Sequence, residues 1–409
     1  GELRGVASNG MICSLSELGL ASDSDGIAVL DDMECDLPAP GQPVAPVLGL
    51  DDTILDLAIT ANRPDGLSMV GIAREVAALT GAGLSLPALE LQPEHEPLQA
   101  TDDSAKAMTS GGLYGISRID GVDGSLASPA WVQRRLSRAG INRVNAVVDI
   151  TNVVMLEQGQ PLHAFDADAL EQITGQTVDA ASFGLRQARD GERFTGLDDR
   201  ELTLDGRAQV VTCHDHPIAL AGVMGSRDSG VSQATRRIWL ESAMFSPVSV
   251  RNTARSVGLR TDASARFEKG LPKDITLACS VRALELLNEQ FSCSLKGRWV
   301  CGAVNADAEP VTLRREALHR LLGPLVTDGR EESLPDSEIE RCLTALGCEL
   351  TKTEPGWSVM APPARRLDLA REIDLIEEVA RLIGFDRFGA SLPQPIAPGA
   401  LTPQQQAER

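Results

Sequence analysis

Between residues 111 and 305 short apolar runs alternate with helix-length amphipathic stretches, punctuated by Gly, Pro and Asp. Pro129–Ala139 reads as a helix with Trp131 and Leu136 inward and Arg134, Arg135 and Arg138 outward. Val147–Leu156 is a buried segment. Gln209–Cys213, Ile218–Val223 and Ile238–Glu241 read as strands, and Ile275–Gln290 as an amphipathic helix. Together these predict one mixed α/β domain. Upstream, the alternation Leu55-Asp56-Leu57-Ala58-Ile59 predicts a strand and Asn62-Arg63-Pro64-Asp65-Gly66 a turn. Ser68 caps a predicted helix that carries Ile72, Val76 and Leu79 on one face and stops at Gly81.

The pattern weakens elsewhere. Residues 1–50 hold short apolar runs, and Met33–Pro46 carries four prolines, so strands and loops are expected there. Residues 85–110 read as a linker. Residues 308–392 form a smaller α/β unit with strands at Pro310–Leu313 and Trp357–Met360. Its helices run over Arg315–Leu322, Ser337–Leu346 and Asp368–Ile383.

Composition narrows the function. The 409 residues include 38 basic and 58 acidic side chains, a formal charge of −20, which argues against nonspecific DNA binding. Aromatics make up only 3%, too few for large stacking platforms on single-stranded nucleic acid. No apolar run reaches the ~18–20 residues that span a bilayer. The eight cysteines contain no CxxC and read as reduced thiols of a cytoplasmic protein. The chain opens at Gly1, without Met, and is expected to be a piece of something longer.

The common nucleotide-binding and hydrolase motifs, GxGxxG after a strand, GxxxxGK[ST], HExxH and GxSxG, are absent. Cys213-His214-Asp215-His216 is either a set of metal ligands or a polar turn; without a second cluster the turn is favoured. On the helix from Asp368, Ile373, Ile376, Ala380 and Ile383 make an apolar stripe, while Asp374, Glu377 and Glu378 share a face. Such carboxylates suit Mg²⁺ or form a solvated face in which Arg381 neutralises Glu377. Two basic stretches, 124–148 and 250–270, either meet phosphates or are ordinary surface. Glu241 follows Ile238-Trp239-Leu240, so its carboxylate needs a partner, whether structural or a ligand. His163 sits beside a turn, and Thr261 to Ser264 are small and polar.

Seven strings in order resemble the beta-subunit family of bacterial phenylalanyl-tRNA synthetases. They are Arg4–Ser14, Asn62–Asp65, Asn145–Asn152, Gln160–Asp166, Ala219–Gly225, Gly258–Ser264 and Glu372–Arg381. The resemblance implies an α+β multidomain fold. Residues 1–50 would be the C-terminal part of an OB-type tRNA-binding domain, and 52–84 part of a small N-terminal α+β domain. Residues 105–305 would be a B3/B4 editing domain, 308–392 a B5 domain, and 393–409 a polar tail.

It also implies ATP-dependent joining of phenylalanine to tRNA(Phe) on a separate alpha subunit, in an assembly of two alpha and two beta chains. The beta subunit would hydrolyse tyrosine mistakenly attached to that tRNA. Glu241 would receive the tyrosine hydroxyl, His163 and Thr261 would lie beside the ester, and Gly225 and Ala263 would make room for the ring. Asp368, Asp374, Glu377 and Glu378 would hold a Mg²⁺ shared with the alpha subunit. The alternative is a noncatalytic tRNA-binding and scaffolding piece. Gly66, Ser226, Ala265 and Asp199 depart from the family pattern, and Ser226 is expected to narrow the pocket mouth.

Overall fold

The computed structural model describes all residues except 1, 4, 8–9, 21–23, 31–37, 49, 91–92, 110–111, 303–308, 391–400 and 409. Cys35, the 33–37 part of the proline-rich stretch, Arg4, Ser8 and Asn9 of the first string, and 393–400 of the tail lie outside the described residues.

The centre is a sandwich with a helical third layer. A five-stranded sheet runs in the order Glu96–Pro97, Ser294–Cys301, Leu113–Asp120, Arg237–Met244, Leu162–Asp166. All its pairs are antiparallel except the short edge pair of Glu96–Pro97 with Ser294–Cys301. A four-stranded antiparallel sheet, Met224–Gly225, His216–Leu220, Gln209–Cys213, Phe183–Gln187, faces one side of it. Because side chains alternate along a strand, the two faces of the large sheet own different cores. Tyr114, Ile116, Phe165, Trp239 and Ala243 point toward the second sheet, where they meet Phe183, Val211 and Leu220. Ile119, Ala164, Ile238 and Leu240 point the other way, onto the helices Ala130–Arg138, Ala146–Gln158 and Lys273–Gln290.

Residues 311–388 form a separate core around fully buried Trp357. A three-stranded antiparallel sheet, Val311–Arg314, Gly356–Met360, Glu349–Thr353, packs against the helices Arg315–Leu322, Asp336–Ala345 and Glu372–Ile383. Among the described residues no helix is long and apolar enough to cross a membrane. The seven described cysteines are free thiols.

Several expectations need correction. Leu55–Ile59 joins no sheet, and Leu55 is 75% exposed: alternation makes a strand only where another strand offers its backbone. The helix Met69–Thr80 starts and stops where Ser68 and Gly81 predict, yet it buries Val70, Gly71 and Ala78 while Val76 and Leu79 face outward. The linker 85–110 contains the edge strand Glu96–Pro97 and a helix, Asp102–Thr109. The described part of residues 1–50 holds a two-stranded ribbon and the short helix Ala45–Leu48. The last long helix begins at Glu372, and its buried apolar stripe is Leu375, Ile376, Val379, Ala380 and Ile383, with Ile373 45% exposed. Cys213–His216 is the polar turn: His214 and Asp215 take positive φ between two strands, and Asp215 pairs with Arg186 and Arg189.

Candidate functional site

Strand register assembles the candidate site. Glu241 stands directly opposite His163 on one neighbouring strand and Ile116 on the other. Residues opposite one another share a sheet face, so the carboxyl and the imidazole point together toward the second sheet. Tyr114, opposite Ala243, lies diagonally across from Glu241 on that face. Sequence reasoning passed over Tyr114; the signal was its place as the sole tyrosine of the chain, in a strand whose alternation faces the core.

From the second sheet, Gly225 closes against the imidazole. A Cβ added there would fall about 2.5 Å from His163 Nε2, so a larger residue collides with the ring. Phe165 holds the imidazole from the other side, edge-on at 4.5 Å between ring centroids. Thr261 reaches the site through its neighbours. It is the N-cap of the helix Asp262–Phe267, accepting from the Ser264 N–H at 3.1 Å, and its hydroxyl donates to the Val223 carbonyl at 2.9 Å. That bond ties the cap to the turn leading into Met224–Gly225. Ala263, half-buried, packs on the same core. Ser226 does not crowd the imidazole by hydrogen bonding: its hydroxyl bonds Ser229 at 2.7 Å.

The site holds three buried polar atoms without a hydrogen-bond partner: Tyr114 Oη, His163 Nε2 and Glu241 Oε2. Each such group costs roughly 1–3 kcal/mol, so three on one face are a place that polar ligand groups would stabilise. Burial moves the two titratable groups oppositely. It raises the Glu241 carboxyl to about 7, against a smaller lowering by Tyr114, and pushes His163 down to about 4. At neutral pH the imidazole is therefore uncharged, and the carboxyl sits near its titration midpoint. Burial, with Glu241 next, pushes the Tyr114 phenol well above its ordinary range.

The carboxylates expected to hold Mg²⁺ are arranged otherwise. Asp368, Asp374, Glu377 and Glu378 line one recess of about 330 Å³. Three of them are already matched to guanidinium groups. Arg365 bonds Asp368 at 2.7 Å and Glu378 at 3.1 Å, Arg381 bonds Glu378 at 2.6 Å, and Arg371 bonds Asp374 at 2.7 Å. Glu378 points into the protein while Glu377 is exposed, so the shared face is split, and Arg381 pairs with Glu378 rather than Glu377. Among the described residues no three or more His, Cys, Asp or Glu gather to hold a metal ion. Carboxylates held by arginine are a poor donor set for a hard cation.

The same arginines join distant segments. Arg63 bonds Asp65 at 2.8 Å and Glu75 at 2.6 Å, and Arg381 reaches Glu75 at 2.7 Å. Arg365, almost wholly buried, lies 3.6 Å from Glu75. The basic stretch 124–148 presents Arg134, Arg135 and Arg138 outward on the helix Ala130–Arg138, with Arg138 paired to Asp52 at 2.7 Å.

Comparison with known proteins supplies the remaining findings. A model described as the B3/4 domain matches residues 112–292, and one described as the tRNA synthetase B5 domain matches 311–385. The chain is 75% identical over its whole length to a phenylalanine–tRNA ligase beta subunit from Parasynechococcus marenigrum (strain WH8102), covering 50% of that protein. It is 68% identical over its whole length to the beta subunit from Synechococcus sp. (strain CC9605), again covering 50%. The chain thus spans about half the length of the curated relatives it matches. A solved N-terminal fragment of the phenylalanyl-tRNA synthetase beta subunit from Pyrococcus horikoshii aligns with 80% of this chain and 85% of that one. The identity is 17% and the TM-score 0.39, a likeness too slight to carry weight.

Proposed function

The chain belongs to the phenylalanine–tRNA ligase beta-subunit family, and from that premise we propose that it serves a cytoplasmic phenylalanine–tRNA ligase as its proofreading subunit. In this reading it assembles with an alpha subunit as two copies of each, binds tRNA(Phe), and supports ATP-dependent attachment of phenylalanine on the alpha subunit. Its own reaction is hydrolysis of tyrosine from mischarged tRNA, at the sheet face that carries Glu241 and His163.

The need is physical. A pocket shaped for phenylalanine rejects an added hydroxyl only weakly, so a second site that welcomes that hydroxyl is the way to remove the error. The observation that carries the reading is the buried pair Glu241 and His163, directly cross-strand, each with an unpartnered atom. Glu241 Oε2 accepts the phenol O–H of tyrosine; with phenylalanine it stays buried and unpaired, which costs binding. His163, neutral and pressed by Gly225 and Phe165, offers Nε2 to a water or ribose hydroxyl beside the ester. Thr261 fixes the turn that sets Gly225 at that distance. Water adds to the ester carbonyl, the bond to the ribose oxygen breaks, and free tyrosine and the tRNA hydroxyl result.

Deacylation of tyrosine- and phenylalanine-charged tRNA by the assembled enzyme tests the assignment. Glu241→Ala is expected to lower the preference for tyrosine by about 10- to 100-fold, one lost buried hydrogen bond. Unaltered preference in that variant would remove Glu241 from the phenol contact.

A further inference from the structure

We propose that Arg255 and Arg260 form the surface that takes the phosphates of the single-stranded end of a charged tRNA as its ester approaches Glu241 and His163. The identity of the amino acid on that strand rests on the proofreading reading; the placement of the strand does not.

Residues 250–270 carry five basic and two acidic side chains, against a charge of −20 for the whole chain. The structure sorts the five. Arg266 is buried and donates to the Asp262 carbonyl at 2.9 Å and carboxylate at 3.2 Å. Lys269 donates to the Thr60 carbonyl at 3.1 Å. Arg251 donates to the Glu268 carbonyl at 3.4 Å and lies 4.0 Å from its carboxylate. Both acids of the stretch are thereby matched. Arg255 and Arg260 are left: both are exposed, and among the described residues neither guanidinium has a hydrogen bond or an ion pair.

Their place in the fold ties them to the site. Arg255 lies in the last turn of the helix Pro247–Val257, which stops at Gly258 with a positive φ of 63°. Two residues later comes Arg260, directly before Thr261, so its Cα stands about 3.8 Å from that of Thr261. Thr261 holds the Val223 carbonyl before Met224–Gly225, and Gly225 closes on His163. The unmatched positive charge thus adjoins the element that shapes the candidate site.

Charge complementarity commits this surface to RNA. A strand of phosphates is repelled by most of a chain this acidic, so unneutralised guanidinium groups decide where it can run. They also bind phosphate without first giving up a carboxylate. The other basic stretch is more engaged: Arg138 pairs with Asp52, Arg143 donates to Gln133, and Arg135 lies over the Trp131 ring.

Two experiments test the surface. In the full chain, affinity for a short single-stranded RNA with the 3′-terminal sequence of tRNA(Phe) is measured against salt. Arg255→Gln and Arg260→Gln are each expected to weaken it about three- to tenfold and to reduce the salt slope by about 0.7. A scrambled strand should lose as much, because phosphate contacts carry no sequence. Arg207→Gln removes an exposed arginine held by Asp205 at 2.6 Å and should leave affinity and slope in place. Unaltered binding in the two variants overturns the proposal, as does an equal loss in Arg207→Gln, which would be an effect of net charge. In the assembled enzyme, kcat/KM for tyrosine release from tRNA is expected to fall by a similar factor. The loss should vanish with tyrosyl-adenosine, which has no phosphate; an equal loss there assigns the arginines to packing and overturns the proposal. Weakened RNA binding in an enzyme that releases no tyrosine leaves the surface assigned and refutes the proofreading reading alone.

Discussion

Two buried groups with opposed titration give the site its own pH signature. Glu241 has a folded pKa above its ordinary value, so the unfolded chain releases its proton first, and stability falls as pH rises from about 4.5 through about 7. His163 has a folded pKa below its ordinary value, so stability falls as pH drops from 6.5 through about 4. Each contributes about 3 kcal/mol at its unfavourable extreme, and between pH 4.5 and 6.5 the two slopes cancel. Glu241→Gln is expected to expose the histidine slope alone, so the variant loses stability steadily on acidification across that window while the parent changes little. Urea midpoints at several pH values measure this. At this scale the motif strings contain His163, Gly225, Thr261 and Ala263, and the apolar run Ile238–Leu240 drew attention to Glu241. The sequence was silent on Tyr114, because a lone aromatic in an apolar strand reads as core until its partner strand's register is known.

Elements fix these residues through their ends. Thr261 has two oxygen-mediated duties, capping the helix Asp262–Phe267 and holding the Val223 carbonyl. Thr261→Ala is therefore expected to lower global stability by about 1 kcal/mol, the usual worth of an N-cap. It should also loosen the turn before Gly225, seen as faster amide exchange at Met224 and Gly225; exchange unchanged there would deny the link. Caps and stops were the most legible features: Ser68 opens and Gly81 closes the helix Met69–Thr80 where local chemistry predicts. Asp199, standing where the family has Gly, does take a positive φ of 60°. The unpaired Leu55–Ile59 and the unforeseen helix Asp102–Thr109 mark the limit, since alternation does not name a partner strand and a short, mostly polar helix reads as linker.

Across the whole molecule, an electrostatic clasp connects the helix Met69–Thr80 to the unit 311–388. Arg63, Arg365 and Arg381 interleave with Asp65, Glu75, Asp368 and Glu378. Removing one partner from such a buried set strands the others. Glu378→Ala is expected to cost about 3–5 kcal/mol and to raise amide exchange in Met69–Thr80, far away in sequence. A loss confined to residues 311–388 would contradict the clasp. The four acidic residues of the last helix region were legible as a cluster. Their arginine partners Arg365, Arg371 and Arg381 lie close by in sequence, but the link onward to Glu75 and Arg63 was not legible, because those residues lie some 300 positions upstream.

The central claim is that Glu241 accepts the phenol of a tyrosyl group while His163 stands beside the ester that water cleaves. Its most direct test is release of amino acid from tRNA(Phe) charged with tyrosine or with phenylalanine, by the assembled unaltered enzyme. Rapid loss of tyrosine with phenylalanine retained is the expected result; equal rates for the two, or no release of tyrosine, would contradict it.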